Sequence, residues 1–106
     1  MDGRLRNKVA IVTGAGSIGP GWGNGKATAV LFAREGAKVF AVDLNPAAAE
    51  ETKSIIDREG GVCKVMKVDV SRPDDVRWMI DQCIGTFGRI DILHNNVGIV
   101  VLGGLA

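Results

Sequence analysis

The chain has 106 residues, a length for one domain and too short for two. Apolar residues make up 46%, charged residues 24%, and the formal net charge is +1, which excludes a disordered chain and one that seeks nucleic acid by charge. Two cysteines, Cys63 and Cys83, form no CxxC, and the single His94 cannot build a multi-histidine metal site, so reduced core thiols and no metal are expected. No apolar stretch approaches the ~20 residues needed to span a bilayer and no signal-peptide core follows Met1, so a cytoplasmic location is expected. Glycine is the compositional outlier: of 15, six (Gly14, Gly16, Gly19, Gly21, Gly23 and Gly25) fall within twelve residues. Tyrosine is absent.

In chain order, Val9-Ala10-Ile11-Val12 is a continuously apolar run suited to a strand buried on both faces of a parallel sheet. The glycine stretch after it cannot be helical, since each interior glycine costs about 1 kcal/mol and Pro20 about 3. From Asn24, a residue type that caps helices, residues 26–35 carry an apolar face through Ala27, Val30 and Leu31, and Gly36 stops them. Residues 38–43 read as a second strand. Asn45-Pro46 opens a second helix to about Glu59, and Gly60-Gly61 ends it. Residues 62–70 alternate as a third strand. Ser71 is the expected cap of a third helix, whose Val76, Met79, Ile80, Cys83 and Phe87 recur at helical spacing before Gly88. Ile90-Asp91-Ile92-Leu93 begins a fourth strand. Alternating strands and helices predict an α/β fold with a parallel sheet and right-handed crossovers.

A strand, a glycine loop and a helix form a phosphate-binding unit: glycines let the backbone approach, and the helix N-terminus favours an anion. Two registers compete. Gly14-Ala15-Gly16-Ser17-Ile18-Gly19 matches G-x-G-x-x-G literally, but Pro20, Gly21 and Gly23 follow where the helix should already run. The preferred register has Gly14 turning out of the strand and Gly23-Asn24-Gly25 at the helix entrance. Gly25-Lys26 also suggests the end of a nucleoside-triphosphate loop. Pro20 and Ala27 occupy the positions of its required glycine and its magnesium-holding hydroxyl, leaving Lys26 as a solvated residue of the first turn. Asp43 ends the second strand eighteen residues after Gly25, near the ~20-residue spacing of an acid that meets adenosine ribose hydroxyls. Helix capping is the competing role, and Asn45 is better placed for it. A negative charge at Asp43 would repel a 2′-phosphate and no arginine stands at 44 or 45, which favours NAD over NADP.

These residues resemble the short-chain dehydrogenase/reductase family. Lys8-Val9-Ala10-Ile11-Val12-Thr13-Gly14-Ala15-Gly16-Ser17 is similar to its opening strand and TGxxxGxG loop, and residues 26–39 to its first helix and second strand. Asp69-Val70 resembles its adenine-contacting pair, and Asp91-Ile92-Leu93-His94-Asn95-Asn96-Val97-Gly98 its DILVNNAG segment. The resemblance covers residues 5–100. It implies the first half of a Rossmann-like, doubly wound sheet with strand order 3-2-1-4, so that residues 1–106 are a partial NAD(P)-binding domain without its catalytic half. It also implies hydride transfer between NAD(H) and an alcohol or carbonyl carbon. The implied cofactor contacts are Gly14, Ser17, Gly23, Asn24, Gly25, Asp43, Leu44, Asp69, Val70, Asn96, Val97 and Gly98.

The sequence departs from the family pattern in several places. Ile18-Gly19-Pro20-Gly21-Trp22 is an insertion in the glycine loop, Asn24 replaces an isoleucine, and Val97 replaces an alanine. His94 stands at an apolar strand position, where a hydrogen-bonded histidine is expected rather than a catalytic one. The family's catalytic Asn, Ser and Tyr-x-x-x-Lys lie beyond the point at which this sequence stops, eight residues after Gly98. A chain cut within a domain is therefore expected, with no catalytic residue of its own and self-association through an open edge of the fourth strand. Two alternatives stay open: a non-catalytic module holding NAD or another adenosine ligand, alone or beside a complementary chain, and an S-adenosylmethionine-binding methyltransferase-like fold.

Overall fold

The computed structural model describes residues 3–16, 24–95 and 98–101. In chain order these form β1 (Val9–Thr13), α1 (Asn24–Arg34), β2 (Lys38–Asp43), α2 (Pro46–Arg58), β3 (Val62–Lys67), α3 (Pro73–Phe87), β4 (Ile92–Asn95) and β5 (Gly98–Val101). The sheet order is β3-β2-β1-β4-β5, and the first four strands are parallel, in the order 3-2-1-4 expected from sequence. All five residues of β1 are buried, because the strand lies between two neighbours and is covered on both faces. Val9, Ile11, Phe40 and Val42 pack with Met79 and Cys83 of α3. Val12, Val39 and Ala41 face the other way, onto Ala29 and Val30 of α1 and Ile56 of α2.

Local chemistry sets the ends of the helices. Gly36 and Gly88 take positive φ of 100° and 84°, a conformation open to glycine without a Cβ penalty. Asn45 Oδ1 accepts from the N–H groups of Ala47 and Ala48, with Pro46 at the first helical position. Both thiols are buried and their pKa values are pushed up to about 12 by that burial, so they act as core groups rather than nucleophiles.

Three expectations are corrected. The third strand ends at Lys67 rather than at residue 70: the Val68 N–H still donates to Asp43 O at 3.2 Å, but its side chain turns into the α3 core and the chain leaves the ladder. Ser71 does not cap α3. Pro73 fixes the first helical position, Arg72 sits at the N-cap without a side-chain bond, and the Ser71 hydroxyl donates instead to Asp69 Oδ1 at 2.6 Å. The far edge of β4 is not open, because β5 pairs along it in antiparallel register, with Leu93 opposite Val100 and Asn95 opposite Gly98. An antiparallel partner needs only a two-residue connection, whereas a parallel one needs a crossover, and Ile99-Val100-Val101 is β-branched throughout. Self-association through that edge loses its structural ground.

At the opposite end of the sheet, Asp91 ties β4 to β1. Its Oδ2 accepts from the Val9 N–H at 2.9 Å and its Oδ1 from Arg89 Nη2 at 2.6 Å, although the residue is only 2% exposed. Burial pushes its carboxyl pKa up, but the Arg89 and Val9 hydrogen bonds, with the charges of Arg89 and Lys8, outweigh it and hold the group below the usual carboxylate range.

Candidate functional site

Parallel pairing brings the C-terminal ends of β1, β2, β3 and β4 to one edge of the sheet, where ligands of open α/β folds bind. Gly14 leaves β1 with φ +62°, and α1 begins at Asn24. The helix entrance is packed directly on that turn: a Cβ at Gly25 would overlap Gly14 O and lie 2.6 Å from Gly14 C. The preferred sequence register, with Gly14 as the turn and Gly25 at the helix entrance, matches this contact. Lys26 differs from expectation: it is buried in the first turn rather than solvated.

The segment leaving β1 is held from three sides. The Ala15 N–H donates to Val42 O at 3.1 Å, and the Thr52 hydroxyl on α2 donates to Ala15 O at 2.7 Å. The Gly16 N–H donates to Asp43 Oδ2 at 2.9 Å. Gly16 is pressed onto α2, where a Cβ would lie 2.8 Å from Ala48 C. Asp43 Oδ1 also accepts from the Asn45 N–H at 2.8 Å. A carboxylate offers about four lone-pair sites, so Asp43 retains acceptor capacity for a ligand hydroxyl.

Leu44 follows Asp43 and is exposed. It borders a cleft of about 470 Å³ that is also lined by Lys67, Asp69, Arg72, Asp75 and Trp78. Ligand sites typically fall in the range of about 300 to 1,000 Å³. Asp69 follows β3, and its N–H donates to Asp75 Oδ2 at 3.0 Å, which anchors the first turn of α3 to the end of β3. The hydroxyl and then the N–H of Ser71 stabilise the ionised Asp69 and lower its pKa from the usual carboxylate value. Val70, next along, is exposed.

The structure thus brings Gly14, Asn24, Gly25, Asp43, Leu44, Asp69 and Val70 to one edge. Gly98 opens β5 opposite Asn95, while Ser17, Gly23, Asn96 and Val97 lie outside the described residues. His94, expected to be hydrogen-bonded, has a buried Nδ1 with no hydrogen-bond partner among the described residues. Its ring meets Phe32 of α1 edge-on at 6.5 Å, and its carbonyl accepts from the Thr13 hydroxyl at 3.3 Å. Lys67, Arg72, Asp75 and Trp78 were not among the expected site residues. The signal for three of them is the spacing of 72, 75 and 78, which puts them on one side of a helix whose inner side is formed by Val76, Met79, Ile80 and Cys83. Among the described residues no group of three or more His, Cys, Asp and Glu could hold a metal ion, and no helix is long and apolar enough to cross a membrane.

Comparison with known proteins extends the picture. Residues 8–105 match the family model described as short chain dehydrogenase. An uncharacterized oxidoreductase of Bacillus subtilis, YxbG, is 43% identical over 102 residues, a stretch that makes up 96% of this chain and 36% of that protein. Cyclohexanol dehydrogenase of Acinetobacter is 36% identical over 100 residues, covering 94% of this chain and 38% of that protein. The crystal structure of a hydroxysteroid dehydrogenase from Escherichia coli superposes with a TM-score of 0.81 at 35% identity, covering 89% of this chain and 38% of that one. The chain therefore spans little more than a third of the length of these relatives.

Proposed function

Because the chain belongs to the short-chain dehydrogenase family, whose members pair a nicotinamide cofactor with a small-molecule substrate, we propose that it forms the NAD-binding part of an oxidoreductase. The bound dinucleotide supplies hydride transfer to or from an alcohol or carbonyl carbon. One observation carries the reading: Gly14, the entrance of α1 and the Asp43 carboxylate are held together at the C-terminal edge of the sheet, joined by the Gly16–Asp43 hydrogen bond. The N-terminus of α1 favours the pyrophosphate, and Asp43 accepts from the ribose hydroxyls of the adenosine half. Asp69 and the exposed Leu44 and Val70 receive the adenine. The carboxylate of Asp43 selects NAD over NADP by repelling a 2′-phosphate. The contacts of Ser17, Gly23, Asn24, Asn96, Val97 and Gly98 complete the same proposal, as does a cytoplasmic setting.

Titration calorimetry with NADH, NADPH and ATP tests it. Saturable NADH binding that exceeds NADPH binding is the expected result, and saturable ATP binding without a response to NADH overturns it. The absence of tyrosine from these 106 residues supports a second reading, in which they bind the dinucleotide without turning over substrate by themselves.

A further inference from the structure

The outer wall of the cleft beside Leu44 is built by Arg72, Asp75 and Trp78 at the start and along the outer side of α3, none of which belongs to the core cluster between α3 and the sheet. Three large apolar side chains stand exposed around this one edge: Leu44 at 61%, Val70 at 51% and Trp78 at 52%. A ligand-binding groove is one of the features that exposed apolar surface gathered in one patch can mark. Arg72, Asp75 and Trp78 follow at intervals of three and line the cleft, while Met79, next to Trp78, and Cys83, one turn further on, are fully buried. The wall is fixed in place, because Asp75 Oδ2 accepts the Asp69 N–H and Pro73 sets the first turn of α3. Among the described residues neither Arg72 nor Lys67 in the same cleft forms a close salt bridge, although the charge of Arg72 helps to stabilise the ionised Asp69.

We propose that Trp78, with Arg72 on the same cleft, forms the outer face of the adenine pocket, closing on the side of the purine that Leu44 and Val70 leave open. This inference rests on the dinucleotide reading above and names two residues that strengthen its hold on the base. An indole is a large, flat and polarisable surface, and stacking against one stabilises any planar heteroaromatic ring. A guanidinium adds attraction to the ring face and to acceptor atoms on the purine edge. Lys67 at the floor of the cleft stands in register with Asp43, so the ribose acid and this wall belong to one continuous surface across β2, β3 and α3.

The probes are 5′-AMP and nicotinamide mononucleotide, the two halves of the dinucleotide, used with the 106-residue chain. Trp22→Phe leaves Trp78 as the single indole, since the sequence has two tryptophans. In that background, saturating 5′-AMP should quench Trp78 emission and shield it from acrylamide, while nicotinamide mononucleotide should do neither. Trp78→Ala should weaken 5′-AMP about five- to tenfold by calorimetry, the lower part of the range for base–aromatic stacking because the ring stays half exposed. Trp78→Phe should recover most of the loss, and Arg72→Ala should weaken 5′-AMP by a few-fold. Far-UV circular dichroism and the urea midpoint should be unchanged in each. Parent-like 5′-AMP affinity in Trp78→Ala, or Trp78 emission indifferent to bound 5′-AMP, overturns the inference and leaves the dinucleotide reading standing. A parent chain that binds neither 5′-AMP nor NADH overturns both.

Discussion

Asp43 serves the fold and the proposed ligand with the same carboxylate, accepting N–H groups from Gly16 on one side and Asn45 on the other. Asp43→Ala is expected to weaken NAD by about 1.5 to 3 kcal/mol, the range for hydrogen bonds to a charged group, and to narrow the preference over NADP. Calorimetric titration of both dinucleotides measures it, and an unchanged ratio of the two affinities tells against the ribose role. Gly25 makes the opposite kind of contribution, by having no side chain. Gly25→Ala drives a methyl into the Gly14 carbonyl, so α1 must move off the turn, and a loss of about 3 kcal/mol in urea unfolding is expected. Gly85 is the control: it lies within α3 with nothing within 4 Å of its would-be Cβ, so Gly85→Ala should add about 0.5 to 1 kcal/mol.

At the level of elements, β4 is bound to β1 not only by its ladder but by the buried Asp91 carboxylate. Its pKa in the folded chain lies below the unfolded value of about 3.9, so the stabilisation is complete above about pH 4 and drains away as pH falls through the lower, folded value. Asp91→Asn should cost about 1 to 3 kcal/mol at neutral pH and flatten this part of the acid-side decline in the urea midpoint. A mutant whose midpoint falls with acid as steeply as the parent's would show that other carboxylates govern it. Most element boundaries were legible in the sequence, because they rest on residues that act locally: Gly36, the Asn45-Pro46 pair and Gly88. The corrections share a cause, since each was decided by something distant or competing. Pro73 overrode Ser71 as the start of α3, Asp69 claimed the serine hydroxyl, and β5 found a partner in β4 that no local pattern announces. The site was legible to the same degree. Gly14, Gly25 and Asp43 follow from spacing along the chain, whereas Lys67 and Trp78 join the cleft only once β3 lies beside β2 and α3 folds back across the sheet.

At the scale of the whole molecule, the proposed dinucleotide binding can be tested apart from turnover. Reducing a carbonyl by hydride needs a proton donor at the developing alkoxide, and these 106 residues contain no tyrosine to provide the one the family uses. Losing a positioned acid forfeits about 10²- to 10⁴-fold in rate. The chain alone should therefore show no appreciable NADH consumption with a panel of alcohols and ketones, and co-expression with a C-terminal half of a related enzyme is the arm in which turnover is sought. Robust turnover by the chain alone would overturn this account. The contact between Gly14 and Gly25 has its own consequence for how such a protein changes over generations. Gly14 is in contact with Gly25, and Ala15 and Gly16 are tied to β2 and α2, so the fold fixes the positions of these ends rather than the number of residues between Gly16 and Asn24. Doubling a loop from five residues to ten adds only about 0.6 kcal/mol of closure entropy. Insertions between these ends should be nearly neutral for folding, which lets the sequence there drift and be reselected while the scaffold on either side stays the same.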